Sequence, residues 1–121
     1  MDVTLSTIMI YARNMKKTAE FYSTHFNFET TGEVVEGLIE LFPKNGGSSI
    51  LIHQAAKSIK LGQAAVKLTF NVENITEFIA NASVSGVKFG AVHEANGYQF
   101  SNTKDPDGNS VSISSRAFRK L

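Results

Sequence analysis

Residues Leu5 to Phe26 read LSTIMIYARNMKKTAEFYSTHF, and the two halves of that stretch obey different periods. Leu5 to Ala12 is rich in β-branched and aromatic residues and predicts a β-strand. Asn14 follows as a helix N-cap, because its side chain accepts a hydrogen bond from an otherwise unpaired first-turn N–H. Met15, Ala19, Tyr22 and Phe26 then recur at i, i+4, i+7 and i+11, which is one face of an α-helix. A strand running directly into an amphipathic helix is the start of a mixed α and β unit.

Beyond that stretch come short β-prone runs separated by glycine-containing turns. They are Glu33 to Val35, the Glu36-Gly37 turn, Leu38 to Phe42, the turn Lys44-Asn45-Gly46-Gly47, and Ser49 to His53. The order is β, α, β, β, β over residues 4–53. Residues 54–63 carry little periodicity and read as a linker. The pattern then restarts over residues 64–115. Ala65 to Val72 is a strand, and Asn74 is an N-cap with Glu77 placed for a capping box. Ile75, Phe78, Ile79 and Ala82 form the apolar face of a second helix, and Gly86 suits its left-handed end. Val87 to Val92, Tyr98 to Thr103 and Ser110 to Ser115 complete a second β, α, β, β, β series, leaving 116–121 as a tail.

The two series superpose at an offset of about 60 residues, with Asn14 on Asn74 and Ala19 on Ile79. Such a period is too long for common solenoid repeats and predicts a duplicated module. The fold class expected is therefore α+β, with residues 1–121 as a single domain of two tandem βαβββ modules.

Composition narrows the functions. Twelve Lys and Arg against eleven Asp and Glu give a net charge of +1, which argues against a nucleic-acid surface. The C-terminal cluster Arg116, Arg119 and Lys120 reads as a solvated tail. With no cysteine there are no disulfides, thiolate ligands or Cys nucleophiles. Met1-Asp2-Val3-Thr4 lacks a signal-peptide pattern, and no apolar run is long enough for a membrane helix. A cytoplasmic protein with no nucleic-acid or membrane partner is expected.

The stretch Ile10 to Tyr22, with its Asn14 cap and Phe21-Tyr22 pair, resembles the first strand and helix of the vicinal oxygen chelate superfamily, the glyoxalase/bleomycin resistance/dioxygenase family. Phe26-Asn27-Phe28 stands where that family carries Leu-Gly-Phe, and Asn tolerates the left-handed conformation a glycine would adopt. Asp105-Pro106-Asp107-Gly108-Asn109 is the strongest local match. It is a tight turn in which Pro106 fixes φ, Asp107 bonds locally and Gly108 takes the unusual dihedral. It is not an EF-hand loop, since Gly108 falls at the fourth position and Arg116 at the twelfth. The resemblance runs from about Leu5 to Ser115 and implies a concave groove formed by eight strands.

Strand alternation assigns the faces of those strands. Ile8, Ile10 and Ala12 suit the helix side, which leaves Thr7, Met9 and Tyr11 facing the groove. Lys67, Thr69 and Asn71 face it from the fifth strand, and Ser110, Ser112 and Ser114 from the eighth. The resemblance implies metal ligands on the first, fourth, fifth and eighth strands, at Thr7, Leu51 or Ile52, Lys67 and Ser112. None is a normal ligand for a catalytic divalent cation, and an ammonium would repel it. No cofactor is expected and a divalent metal is disfavoured. Among the histidines, His25 reads as a surface or helix-dipole residue and His93 as an exposed loop residue. His53 shares the groove face with Leu51 in one of two registers, as a hydrogen-bonding group or a relocated ligand.

Family members that lack metal ligands sequester drugs of the bleomycin and mitomycin types. The leading expectation is thus a metal-independent binder of a planar or aromatic small molecule. Thr7, Met9, Tyr11, Phe42, Leu51, His53, Lys67, Thr69, Tyr98, Phe100 and Ser112 are its candidate contacts. The alternative is a lyase, isomerase or dioxygenase with a relocated or metal-free site, for which His53 and Lys67 are acid/base candidates. No catalytic residue is assigned. A third reading leaves the groove vestigial and the domain working through protein contacts. The resemblance also implies a homodimer.

Overall fold

The computed structural model describes residues 1–120, which divide into two compact units at the boundary between Leu61 and Gly62. Each unit holds one four-stranded sheet and one helix.

In the first unit the elements are β1 (Thr7–Ala12), α1 (Met15–His25), β2 (Phe28–Glu29), β3 (Leu38–Pro43) and β4 (Ser49–Gln54), with sheet order β1-β4-β3-β2. β1 runs parallel to β4, while β3 runs antiparallel to β4 and β2 antiparallel to β3. The second unit repeats the order with β5 (Lys67–Asn71), α2 (Ile75–Val84), β6 (His93–Ala95), β7 (Tyr98–Lys104) and β8 (Ser110–Ser114). Its sheet is ordered β5-β8-β7-β6, with β5 parallel to β8. The predicted βαβββ duplication is therefore the observed one, and the fold is α+β.

Local chemistry explains the helices. Asn14 accepts a hydrogen bond from the Lys17 N–H at 3.1 Å, and Asn74 accepts one from the Glu77 N–H at 3.0 Å. The second box closes through side chains, with Asn74 Nδ2 donating to Glu77 Oε2, where the sequence suggests a bond to the cap's backbone. Ala19 and Tyr22 are buried on α1 and Phe26 at its C-cap, as are Ile75 and Ala82 on α2. Against them lie Ile39, Leu41, Ile50 and Ile52 in the first unit and Val111 and Ile113 in the second, all nearly inaccessible. Asn27 does take a left-handed φ of 59°, in the position the resemblance gives to glycine.

Both edge strands differ from expectation. The strand expected over Glu33 to Val35 is reduced to one bridge, Val35 to Leu38, around the Glu36-Gly37 turn. The ladder instead pairs Phe28 with Pro43 and Glu29 with Phe42. Between them the Thr30 hydroxyl donates to the Glu40 carbonyl at 2.7 Å, replacing a backbone rung. The strand expected over Val87 to Val92 begins only at His93. Alongside Lys88 to Gly90, hydroxyls of Ser101 and Thr103 on β7 donate to the Gly90 and Lys88 carbonyls, and only the Gly90 N–H bonds back to Asn102. Side-chain hydroxyls shorten both edges, which limits edge-to-edge pairing.

The stretch read as a linker is tied down. Ala55 donates to Ala12 and is buried, and the Arg13 guanidinium donates to the carbonyls of Ala56 and Ile59. In the second unit, Gly62 lies against the 105–109 turn. A Cβ there would stand 2.9 Å from the Asp107 carbonyl oxygen. That turn is organised by Asp105, whose buried carboxylate accepts from the N–H groups of Asp107 and Asn109 and from Asn109 Nδ2, each at 2.9 Å. Asp105 thus adds a second acid to the local bonding that the sequence assigns to Asp107. Residues Arg116–Phe118 form a 3-10 turn against β7.

Candidate functional site

Each sheet has one face covered by its helix and one open face, and strand register fixes which residues share the open one. In the first unit β1 and β4 align Thr7 with Ser49, Met9 with Leu51 and Tyr11 with His53. β3 adds Leu38 opposite His53 and Glu40 opposite Leu51. Ile10, Ala12, Ile50 and Ile52 are buried on the helix side. The fourth-strand ambiguity is thereby settled: Leu51 and His53 lie on the open face, and Ile52 is wholly buried.

That face is aromatic and apolar to an unusual degree for an exposed surface. Met9, Tyr11 and Phe42 retain 43%, 44% and 49% of their accessible surface. The Tyr11 and His53 rings lie 5.2 Å apart and tilted by 48°, and His53 Nδ1 is 2.8 Å from the Gln54 carbonyl oxygen. If Nδ1 carries the proton in that bond, Nε2 is left as the acceptor.

In the second unit the open face comprises Lys67, Thr69 and Asn71 of β5 with their β8 partners Ser110, Ser112 and Ser114. β7 contributes Tyr98, Phe100, Asn102 and Lys104, and β6 contributes His93 and Ala95. Lys67 Nζ donates to Asn102 Oδ1 at 3.0 Å, so its neighbour is a neutral amide. Since Lys67 pairs in register with Ser110 and Asn102 with Ser112, this bond crosses β8 between the two serines. Ser112 is only 2% exposed and its hydroxyl turns to the Ile113 carbonyl, so it is screened on its own face.

His93 is the residue that sequence reasoning missed. It opens β6, is exposed, and stacks on Phe100 at 5.0 Å with rings 30° apart. Tyr98 lies 6.3 Å from Phe100, and the Arg116 guanidinium carbon sits 6.0 Å above the Tyr98 ring. A signal for this was present. His93-Glu94-Ala95 and Tyr98-Gln99-Phe100 flank Asn96-Gly97, a two-residue hairpin that sets His93 opposite Phe100. His25, read as a surface or helix-dipole residue, stands in the last turn of α1, half-buried against Phe21 at 5.5 Å, and burial lowers its pKa.

A family model describing the Glyoxalase/Bleomycin resistance protein/Dioxygenase superfamily matches residues 4–113. The chain belongs to that superfamily. Comparison with curated protein sequences gives no match. Among solved structures it is similar to TnmS3, an antibiotic binding protein from Streptomyces sp. CB03234, with a TM-score of 0.76 at 15% identity over 93% of this chain and 94% of that one. The oxidase ChaP-H2 aligns with a TM-score of 0.77 at 18% identity, over 96% and 95% of the two chains. A lactoylglutathione lyase from Agrobacterium tumefaciens aligns with a TM-score of 0.71 at 16% identity, over 94% of each chain. A binder, an oxidase and a lyase resemble this superfamily member about equally, so likeness of fold does not choose its chemistry.

The side chains bear on that choice. The metal-ligand positions implied for the family carry a hydroxyl at Thr7, an aliphatic group at Leu51, an ammonium at Lys67 and a screened hydroxyl at Ser112. This donor set does not fit a divalent cation, which requires carboxylate or imidazole ligands. Among the described residues no three His, Asp or Glu side chains are grouped to hold one elsewhere. Also among the described residues, no helix is long and apolar enough to cross a membrane.

Proposed function

We propose that this chain is a metal-independent small-molecule-binding protein that holds a planar or aromatic ligand against an open sheet face and sequesters it, as a resistance protein does. One observation carries the reading. The open faces carry aromatic and imidazole rings (Tyr11, His53, His93 and Phe42 exposed, Phe100 half-buried), while the implied metal positions lack metal donors. Each ring contact to a planar ligand contributes about 1 kcal/mol beyond the area it buries. Two contacts together are worth roughly 30-fold in affinity. Thr7 and Thr69 supply exposed hydroxyls, one on each open face, that can orient polar ligand edges. That a similar structure is named an antibiotic binding protein supports the same reading.

The test combines metal analysis with ligand binding. Protein purified without added metal should carry no stoichiometric divalent ion, and planar compounds should raise its melting temperature. A bound ion lost in His53→Ala would refute metal independence. No stabilisation by neutral, cationic or anionic planar compounds would refute ligand binding.

We also propose a cytoplasmic homodimer, on the strength of family habit, which a monomer in sedimentation at micromolar concentration would refute. A catalytic reading has one observation in its favour, the exposed imidazole of His53 beside the Tyr11 ring. It would require turnover of a bound compound that His53→Ala abolishes without abolishing binding.

A further inference from the structure

The open face of the second sheet carries an asymmetry of charge. Its register partners across β5, β8, β7 and β6 include Lys67, Lys104 and His93 and not one acidic residue. Glu94, the acid on β6, pairs with Gln99 on the opposite face, and the two side chains are hydrogen-bonded at 2.6 Å. Both lysines are held by neutral oxygens, Lys67 by Asn102 Oδ1 and Lys104 by Ser110 Oγ, each at 3.0 Å. These bonds orient the ammonium groups without cancelling their charge, and each ammonium has three donors of which one is used here. Arg116 adds a third cation at the Tyr98 end of the aromatic row. The open face of the first sheet is the reverse, with Glu29 and Glu40 and no lysine or arginine.

A face that combines a stacked His93–Phe100 pair, the adjacent Tyr98 ring and oriented cations, with no acid among its own register partners, selects one chemistry. We propose that the second sheet binds the anionic end of its ligand, and that the ligand class is a planar aromatic carboxylate. The ring system lies along His93, Phe100 and Tyr98, and the carboxylate meets Lys67 or Arg116. A guanidinium offers a carboxylate two parallel N–H donors, and an ammonium offers a compact charge, so both can hold it. A planar cation gains the same stacking and is repelled by the same side chains. The proposal rests on the small-molecule reading above and sharpens it to a charge class.

The probes are 2-naphthoate and 2-naphthylmethylammonium, which share a ring system and differ in the sign of the appended charge. Calorimetry on the full chain should give naphthoate the tighter binding by tenfold or more at low salt, with the difference shrinking as salt screens the charges. Lys67→Gln and Arg116→Gln should each weaken naphthoate three- to tenfold and leave the cation unchanged or improved. Lys67→Arg should retain binding. Lys16→Gln, on the exposed side of α1, controls for net charge and should change nothing. Circular dichroism melting of every variant confirms that it is folded. If both probes bind equally, or the cation binds better, the charge-class proposal fails and the small-molecule reading stands. If neither probe binds, both fail.

Discussion

Asp105→Ala should destabilise the chain by about 3 kcal/mol, more than any single surface change away from this turn. The carboxylate is 5% exposed and accepts three hydrogen bonds at 2.9 Å, two from the backbone N–H groups of Asp107 and Asn109 and one from Asn109 Nδ2. In the alanine variant the Asn109 side chain, which is half-exposed, can turn to water. The two backbone donors cannot turn, and each loses a charge-assisted bond worth roughly 1.5 kcal/mol. The remaining turn bonds, Asp105 N–H to the Asn109 carbonyl and Gly108 N–H to the Asp105 carbonyl, fix those donors where they are. Asp105→Asn keeps one oxygen for the backbone pair but faces Asn109 Nδ2 with a second amide nitrogen, so it should cost about 1 kcal/mol. Urea denaturation followed by circular dichroism measures both, and a loss of 3 kcal/mol corresponds to roughly 10 °C in melting temperature at this size. A loss under 1 kcal/mol in the alanine variant, or an asparagine variant less stable than it, would show that the carboxylate does not organise the turn.

Gly62→Ala should cost about 2 kcal/mol, from a φ of +76° and a Cβ placed 2.9 Å from the Asp107 carbonyl oxygen. Gly97→Ala, with φ of +83° and nothing within 4 Å, should cost about 1 kcal/mol, so equal losses would argue against the close contact. Asn14→Ala should cost about 1 kcal/mol through the lost bond from the Lys17 N–H, and Asn14→Ser should restore it in the same denaturation assay. His25 supplies a pH dependence. Burial lowers its folded pKa below the ordinary value near 6.5, so the unfolded chain binds more protons between the two values. Stability should therefore fall as pH drops below about 6.5, and His25→Gln should flatten that slope. An unchanged slope would assign the effect to other groups.

Much of the fold was legible because its signals are local. The Asn14 and Asn74 caps, the left-handed Asn27 and Gly86, and the 105–109 turn depend on a few adjacent residues, and each stands where its chemistry requires. The edge strands were misread because their bonding is not a property of their own segments. Thr30 reaches Glu40 ten positions on, and Ser101 and Thr103 reach back to Gly90 and Lys88. Propensity marks 33–35 and 87–92 as extended, but side-chain hydroxyl bonds replace ladder rungs beside them, and propensity does not register a side-chain bond between residues ten or more positions apart.

The open faces show the same division between what alternation can tell and what it cannot. Period two placed Thr7, Met9, Tyr11, Lys67 and Thr69 on the exposed side of their strands, where the register has them. It could not say that Ser112 is buried, because its exposure depends on neighbours from other strands, such as Lys67 and Asn102, which bond to each other across β8. Nor could it see that Arg116, which reads as a solvated tail, lies over Tyr98. Helix-side residues such as Ile39, Ile52 and Ile113 determine that the chain folds, and many side chains satisfy that demand. Open-face residues are under no such demand, so what stands there is free to define the ligand. On the second sheet the half-buried Tyr98 and Phe100 rings share a face with Lys67 and Lys104, whose ammonium groups are bonded only to neutral oxygens, so a bound planar anion would cover the rings and supply the missing negative charge together.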